Sequence, residues 1–150
     1  MRIVLQRVSH ASVTIDGRVK SQIGPGLLLL VGIEEPDNEE DVQWLAKKVM
    51  QMRIFNDKDG VMNISALDMH ADVLIISQFT LMASYKKGNR PSYIRAAGHE
   101  TAVPLYESFC REVRRLCTGR VGTGEFGADM KVELLNDGPV TICLDSKNKE

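Results

Sequence analysis

The chain has 150 residues, 43% hydrophobic and 26% charged, with a formal net charge of -1. That length and composition suit one globular domain with a real core, and the near-neutral charge excludes global attraction to a polyanion, so any nucleic-acid contact must come from a local basic patch. The three cysteines, Cys110, Cys117 and Cys143, include no Cys-x-x-Cys pair, which argues against a disulfide framework or structural zinc site; reduced, mostly buried thiols are expected.

From Arg2 to Gly32 the chain reads as three strands, Ile3 to Ile15, Arg18 to Ile23 and Leu27 to Ile33, punctuated by Asp16-Gly17 and Gly24-Pro25-Gly26. The pattern around Leu5 to Val8 sets Arg7 on one sheet face, where a carboxylate or carbonyl partner would make it either structural or a brace for a site. No apolar run is long enough to span a bilayer, and Met1-Arg2-Ile3-Val4 begins a strand instead of a signal peptide, so a cytoplasmic location is expected. An acidic linker, Glu34 to Asp41, precedes Val42, Leu45, Ala46, Val49 and Met50, which recur at helical spacing with Lys47 and Lys48 outside. Arg53-Ile54-Phe55 is strand-like and leads into Asp57-Lys58-Asp59-Gly60. This segment hints at a calcium loop, but its glycine comes two residues early and the late bidentate glutamate is missing, so it reads as a solvated turn.

Val73 to Ile76 is an uninterrupted buried strand that ends on Ser77-Gln78-Phe79-Thr80-Leu81. These polar groups either terminate a strand or line a pocket mouth and stabilise an oxyanion. Lys86 to Arg95 gathers four cations and a tyrosine in a loop suited equally to solvation and to a nucleic-acid backbone. A second amphipathic helix is expected with Pro104 in its first turn, Leu105, Phe109, Val113 and Leu116 on one face, and Gly119 as its stop. Gly122-Thr123-Gly124-Glu125-Phe126-Gly127 matches a dinucleotide fingerprint literally. A helix precedes it and a strand follows, the reverse of what pyrophosphate binding needs, so a flexible loop is expected. Two strands, Met130 to Leu135 and Val140 to Leu144, flank Asn136-Asp137-Gly138-Pro139. Proline cannot donate a ladder hydrogen bond and glycine permits unusual backbone angles, so Gly138-Pro139 is either hairpin punctuation or a device that aims bare carbonyls outward. The polar tail, about 146–150, is expected to be loose.

Strands joined by short turns, with two separated amphipathic helices, predict an α+β domain spanning 1–150, its mostly antiparallel sheet curled into a barrel-like body. His10, His70 and His99 have no partners at metal-binding spacing, and no Gly-x-Ser-x-Gly elbow exists. No metal and no cofactor are therefore expected.

In order and spacing, Leu5-Gln6-Arg7-Val8, Ala11-Ser12-Val13, Arg53-Ile54-Phe55, Met62-Asn63, Ser77-Gln78-Phe79-Thr80-Leu81, Arg90-Pro91-Ser92, Pro104-Leu105-Tyr106, Phe126-Gly127-Ala128-Asp129-Met130 and Asn136-Asp137-Gly138-Pro139-Val140-Thr141 resemble the D-aminoacyl-tRNA deacylase family over nearly the whole chain. The resemblance implies a homodimer that hydrolyses the ester joining a D-amino acid, or mischarged glycine, to the terminal adenosine of tRNA. It implies that Ser77, Gln78, Phe79 and Thr80 line the pocket and that Gly138-Pro139, as a cis step, enters the pocket of the other subunit. Arg7 would hold that step, and Phe126 and Met130 would contact the terminal adenosine. Aminoacyl-tRNA and a second copy are the partners so implied; neither a membrane nor DNA is expected.

Overall fold

The computed structural model describes all residues, Met1–Glu150. Its strands are β1 (Arg2–Ile15), β2 (Arg18–Ile23), β3 (Gly26–Gly32), β4 (Phe55–Asn56), β5 (Met62–Ile64), β6 (Asp72–Ser77), β7 (Val121–Thr123) and β8 (Lys131–Asp145); its helices are α1 (Glu39–Gln51) and α2 (His99–Leu116). β1 is the axis of the main sheet. Along one edge it pairs antiparallel with β2 and β3 in succession, Ala11 opposite Ile23 and Val8 opposite Gly26; along the other it pairs antiparallel with β8. β6 lies parallel to β3, and β7 parallel to β6, because α1 and α2 carry the chain across between them. The antiparallel expectation thus holds for the pairs about β1 and not for these two. Ser21 Oγ of β2 donates to the Thr123 carbonyl at 2.7 Å, so the sheet curls until β7 meets β2 and is nearly closed.

Two apolar clusters explain why β3 and β6 read as unbroken hydrophobic runs. Leu27, Leu29, Val73 and Ile75 face the helices, packing with Leu45, Val49, Phe109 and Val113. The alternate residues Leu28, Leu74 and Ile76 join Val8, Ala11 and Val13 on the opposite face. Asp72 ties the barrel where three strands meet: its carboxylate accepts from the N–H groups of Gly24 (3.0 Å) and Arg120 (2.9 Å) and from the Arg120 guanidinium (3.1 Å).

Several expected boundaries move, each for a local reason. The acidic stretch is not all linker: Asn38 caps α1 by accepting from Glu40 N at 2.9 Å, Asp41 returns the bond to Asn38 N, and Glu39 to Asp41 form the first turn beside the positive helix end. α2 starts five residues before Pro104, because a distant carboxylate supplies its cap. Glu35 accepts from Gly98 N at 2.7 Å and Thr101 Oγ1 at 2.9 Å, and these bonds hold its carboxyl below its usual range. The Gly-x-Gly segment is not a flexible loop throughout, since Val121–Thr123 is β7 and a Cβ on Gly124 would lie within 2.3 Å of Met130 Sδ. The tail is anchored instead of loose from 146: Ser146 N donates to the Met1 carbonyl at 2.9 Å, and Lys147 Nζ to Asp41 Oδ2 at 2.7 Å. No helix is long and apolar enough to cross a membrane.

Candidate functional site

The largest departure from the sequence reading lies at Gly138-Pro139. No hairpin exists there: β8 runs through the step as one strand, and the residues before and after it pair with the same partner, β1. Asn136 stands opposite Val8 and Thr141 opposite Gln6, so Asp137 to Val140 bulge out over a single residue of β1, Arg7. Asn136 closes the bulge, its Oδ1 accepting from Val140 N at 3.1 Å and its Nδ2 donating to Thr141 Oγ1 at 2.9 Å. The Gly138-Pro139 peptide is cis, Gly138 has φ +128°, and both residues are exposed.

Arg7 braces the bulge from below. It is 6% exposed, and its guanidinium donates to the carbonyls of Asp137 (3.1 Å) and Ile54 (2.6 Å) and to Asn56 Oδ1 (3.3 Å). The Asp137 carboxylate lies 3.4 Å from Arg7 Nε. A buried cation is tolerated because its planar fork finds acceptors on two segments. The glycine has its own reason: a Cβ on Gly138 would approach Arg7 Nη2 to 2.9 Å and Val140 Cγ2 to 2.9 Å.

A cavity of about 520 Å³ opens at the end of β6. Ser77, Gln78 and Phe79 enter it from the strand exit, and Phe126 and Met130 from the segment that joins β7 to β8. These five are brought together from positions about fifty apart in sequence. Thr80 is outside the lining; its Oγ1 accepts a hydrogen bond from Gln78 Nε2. Phe79 and Thr80 open a 3-10 turn (Phe79–Met82), so their N–H groups have no acceptor within the turn. Arg7, Gly138 and Pro139 do not line the cavity of their own chain. The candidate residues therefore form two units, a cavity and a projecting braced step.

The cavity has members that sequence reasoning missed. His99, at the start of α2, lines it with Ala96, Ala97 and Ala102, and Val31 and Ile76 add apolar surface. The His99 ring meets Phe126 edge-on at 5.4 Å, and Tyr106 supports Phe126 from 5.8 Å. Tyr106 is fixed in turn by donating its hydroxyl to the Ile75 carbonyl at 2.9 Å, and burial pushes its ionisation well up, so it stays a donor. Nothing local in the sequence marks His99, because its place is set by the cap that Glu35 provides to α2. Burial also pushes the Cys110 thiol up to about 11, which leaves it unreactive near neutrality. Cys117 is half-buried and Cys143 exposed, so burial of the thiols is less complete than expected.

The D-Tyr-tRNA(Tyr) deacylase family model matches residues 4–145. Proteins described as D-aminoacyl-tRNA deacylase from Bacteroides thetaiotaomicron and Akkermansia muciniphila are 66% and 60% identical over 150 residues, covering all of both chains in each case. Among solved structures, one described as c-Myc DNA Unwinding Element Binding Protein superposes with a TM-score of 0.91 at 38% identity, covering 97% of this chain and 98% of that one. A probable eukaryotic D-amino acid tRNA deacylase shares the fold at a TM-score of 0.83 and 17% identity, covering 95% and 97% of the two chains. The chain belongs to the D-Tyr-tRNA(Tyr) deacylase family, a family of D-aminoacyl-tRNA deacylases.

Proposed function

We propose that the chain hydrolyses the ester bond of D-aminoacyl-tRNA, releasing free tRNA and the D-amino acid, and that it accepts mischarged glycyl-tRNA as well. The observation that carries the reading is the split between a cavity lined by Ser77, Gln78, Phe79, Phe126 and Met130 and an exposed Gly138-Pro139 step that lies outside it. A second copy of the chain resolves the split. Its step enters this cavity while the first copy's step enters the other, an exchange that two-fold symmetry requires to be mutual.

In this reading the step reads chirality through backbone. A side-chain pocket cannot sort D from L across many amino acids, because the side chain differs in every substrate. Carbonyls of Gly138 and Pro139 that engage the α-amino group and crowd one face of the α-carbon exclude an L side chain and leave a D side chain pointing away. Glycine has no side chain to exclude, so broad D activity and glycine activity come together. Arg7 keeps the carbonyls aimed by its hold on Asp137. Phe126, held between His99 and Tyr106, offers the terminal adenosine a fixed aromatic face, with Met130 beside it.

For the chemical step, attack by water fits the geometry better than attack by Thr80. The Thr80 hydroxyl is engaged by the Gln78 amide and has no base bonded to it, and a hydroxyl nucleophile needs one. The ribose 2'-OH of the substrate assists the water, the N–H groups of Phe79 and Thr80 receive the oxyanion, and the departing ribose oxygen takes up the proton. Losing one such donor costs about 3 kcal/mol of transition-state stabilisation. A small-ester hydrolase and a non-catalytic RNA-binding barrel are separated from this reading by one assay. Purified protein is incubated with D-, L- and glycyl-tRNA and the remaining ester measured: loss of the D and glycyl esters with the L ester retained supports the proposal, and equal loss of all three or of none overturns it. A cytoplasmic location goes with that substrate, since aminoacyl-tRNA is made and used in translation.

A further inference from the structure

We infer that the loop from Ser84 to Arg95 is a docking surface for the phosphate backbone of the RNA whose terminal nucleoside enters the cavity, an inference that rests on the deacylase reading. Both ends of the loop run into the cavity wall. Upstream, β6 and the 3-10 turn deliver Ser77, Gln78 and Phe79; downstream, Ala96, Ala97 and His99 line the same space. The loop therefore stands at the rim, and its base is fastened there. Ser84 and Ser92 exchange backbone hydrogen bonds of 2.8 Å in both directions, and Tyr93 packs edge-on against Phe79 with ring centroids 5.1 Å apart.

The four cations of the loop divide into two kinds. Arg95 Nη2 donates to the buried Glu34 carboxylate at 2.9 Å, which holds the rim to the barrel. Lys86, Lys87 and Arg90 are exposed and make no ion pair or side-chain hydrogen bond, and Tyr85 beside them is 78% exposed. On a chain of net charge -1, three free cations gathered at the cavity rim form a local positive field there. A run of phosphates fits it: each cation neutralises one phosphate and releases a counterion, and the exposed ring offers a base a stacking face. Phosphate contacts position an RNA without reading its bases, so the loop sets how tightly tRNA is held and has no part in separating D from L.

The test compares the full chain with K86A/K87A/R90A, using D-aminoacyl-tRNA between 50 and 200 mM salt and the D-aminoacyl ester of adenosine, which carries no phosphate. Without these three cations to neutralise phosphates, the slope of log KM against log salt falls by about 2.1 to 2.7, so over that fourfold range the wild-type KM rises roughly 20- to 40-fold more than the variant's. The turnover number on tRNA, cleavage of the adenosine ester and the thermal midpoint stay at wild-type values. K20A/K47A/K58A removes the same charge from exposed lysines outside the loop and keeps the wild-type slope. An unchanged slope in the loop variant, or an equal fall in the control, overturns the inference. If wild-type protein cleaves neither ester, the deacylase reading fails by itself, and the same slope comparison on binding of an uncharged RNA hairpin still decides whether the loop holds phosphates.

Discussion

Replacing Gly138 with alanine tests the projecting step at its most constrained atom. At φ +128° an alanine occupies backbone space that L residues rarely visit, at a cost of about 1 to 3 kcal/mol. The new methyl also lies 2.9 Å from Arg7 Nη2 and from Val140 Cγ2, so something must shift. Two responses differ in magnitude. If the exposed step relaxes by itself, the loss stays near that range, and the thermal midpoint falls roughly 2 to 4 °C for each kcal/mol. If Arg7 moves, its bond to the Ile54 carbonyl at 2.6 Å weakens, and losing a hydrogen bond to a charged group adds about 1.5 to 3 kcal/mol. In both cases the Gly138 and Pro139 carbonyls leave their aim, so the ratio of D- to L-aminoacyl-tRNA cleavage falls. The assay pairs urea denaturation with the two cleavage rates on the same preparation. A variant that loses stability while keeping the wild-type D-over-L ratio refutes the assignment of the step as the chiral gate.

Thr80→Ala removes only a hydroxyl that accepts from Gln78, so deacylation persists within about tenfold of wild type. Near-total loss in a folded variant, or an acyl adduct on Thr80 by mass spectrometry, would establish covalent catalysis instead. Gly26→Ala would place a methyl 1.9 Å from the Asp72 carbonyl, backbone that cannot yield, and is expected to cost about 3 kcal/mol or more in urea denaturation; Gly60→Ala, at φ +79° in open space, costs about 1 kcal/mol. For Asp72, burial opposes the charge, but the bonds from Arg120 and Gly24 outweigh it and hold the carboxyl below the ordinary aspartate value of 3.8. Its stabilising charge is therefore present above pH 3.8 and lost as pH falls through the lowered value. Asp72→Asn accordingly lowers the thermal midpoint at pH 7, and the gap from wild type closes in acid; a gap that stays constant down to about pH 2.5 contradicts this role.

What the sequence revealed and what it hid divide along the range of the interactions involved. The strand from Arg2 to Ile15 and the buried run Val73 to Ile76 are readable because alternation and unbroken apolar runs are written locally. The start of α2 is not, since Gly98 offers no side-chain cap and the carboxylate that serves there comes from Glu35, more than sixty residues away. β7 reads as part of a loop because three residues carry no periodicity; what makes it a strand is its seat beside β6. At the candidate site, the polar exit of β6 at Ser77 to Phe79 is visible as a break in a core strand. His99 is not, and the true setting of Gly138-Pro139 as a bulge over Arg7 stays hidden because a turn signal says nothing about which strand resumes after it.

If one copy's Gly138-Pro139 step completes the other copy's cavity, two variants disabled in different units rescue each other on mixing. One variant carries Gly138 and Pro139 both replaced by alanine; the other fills the cavity through Ala128→Trp, a lining residue. After mixing and subunit exchange, each mixed dimer holds one intact cavity facing one intact step. D-aminoacyl-tRNA cleavage should then return to about a quarter of the wild-type rate, since half the dimers are mixed and each has one working site of two. Two folded, individually inactive variants that remain inactive together would show that the site is built within a single chain.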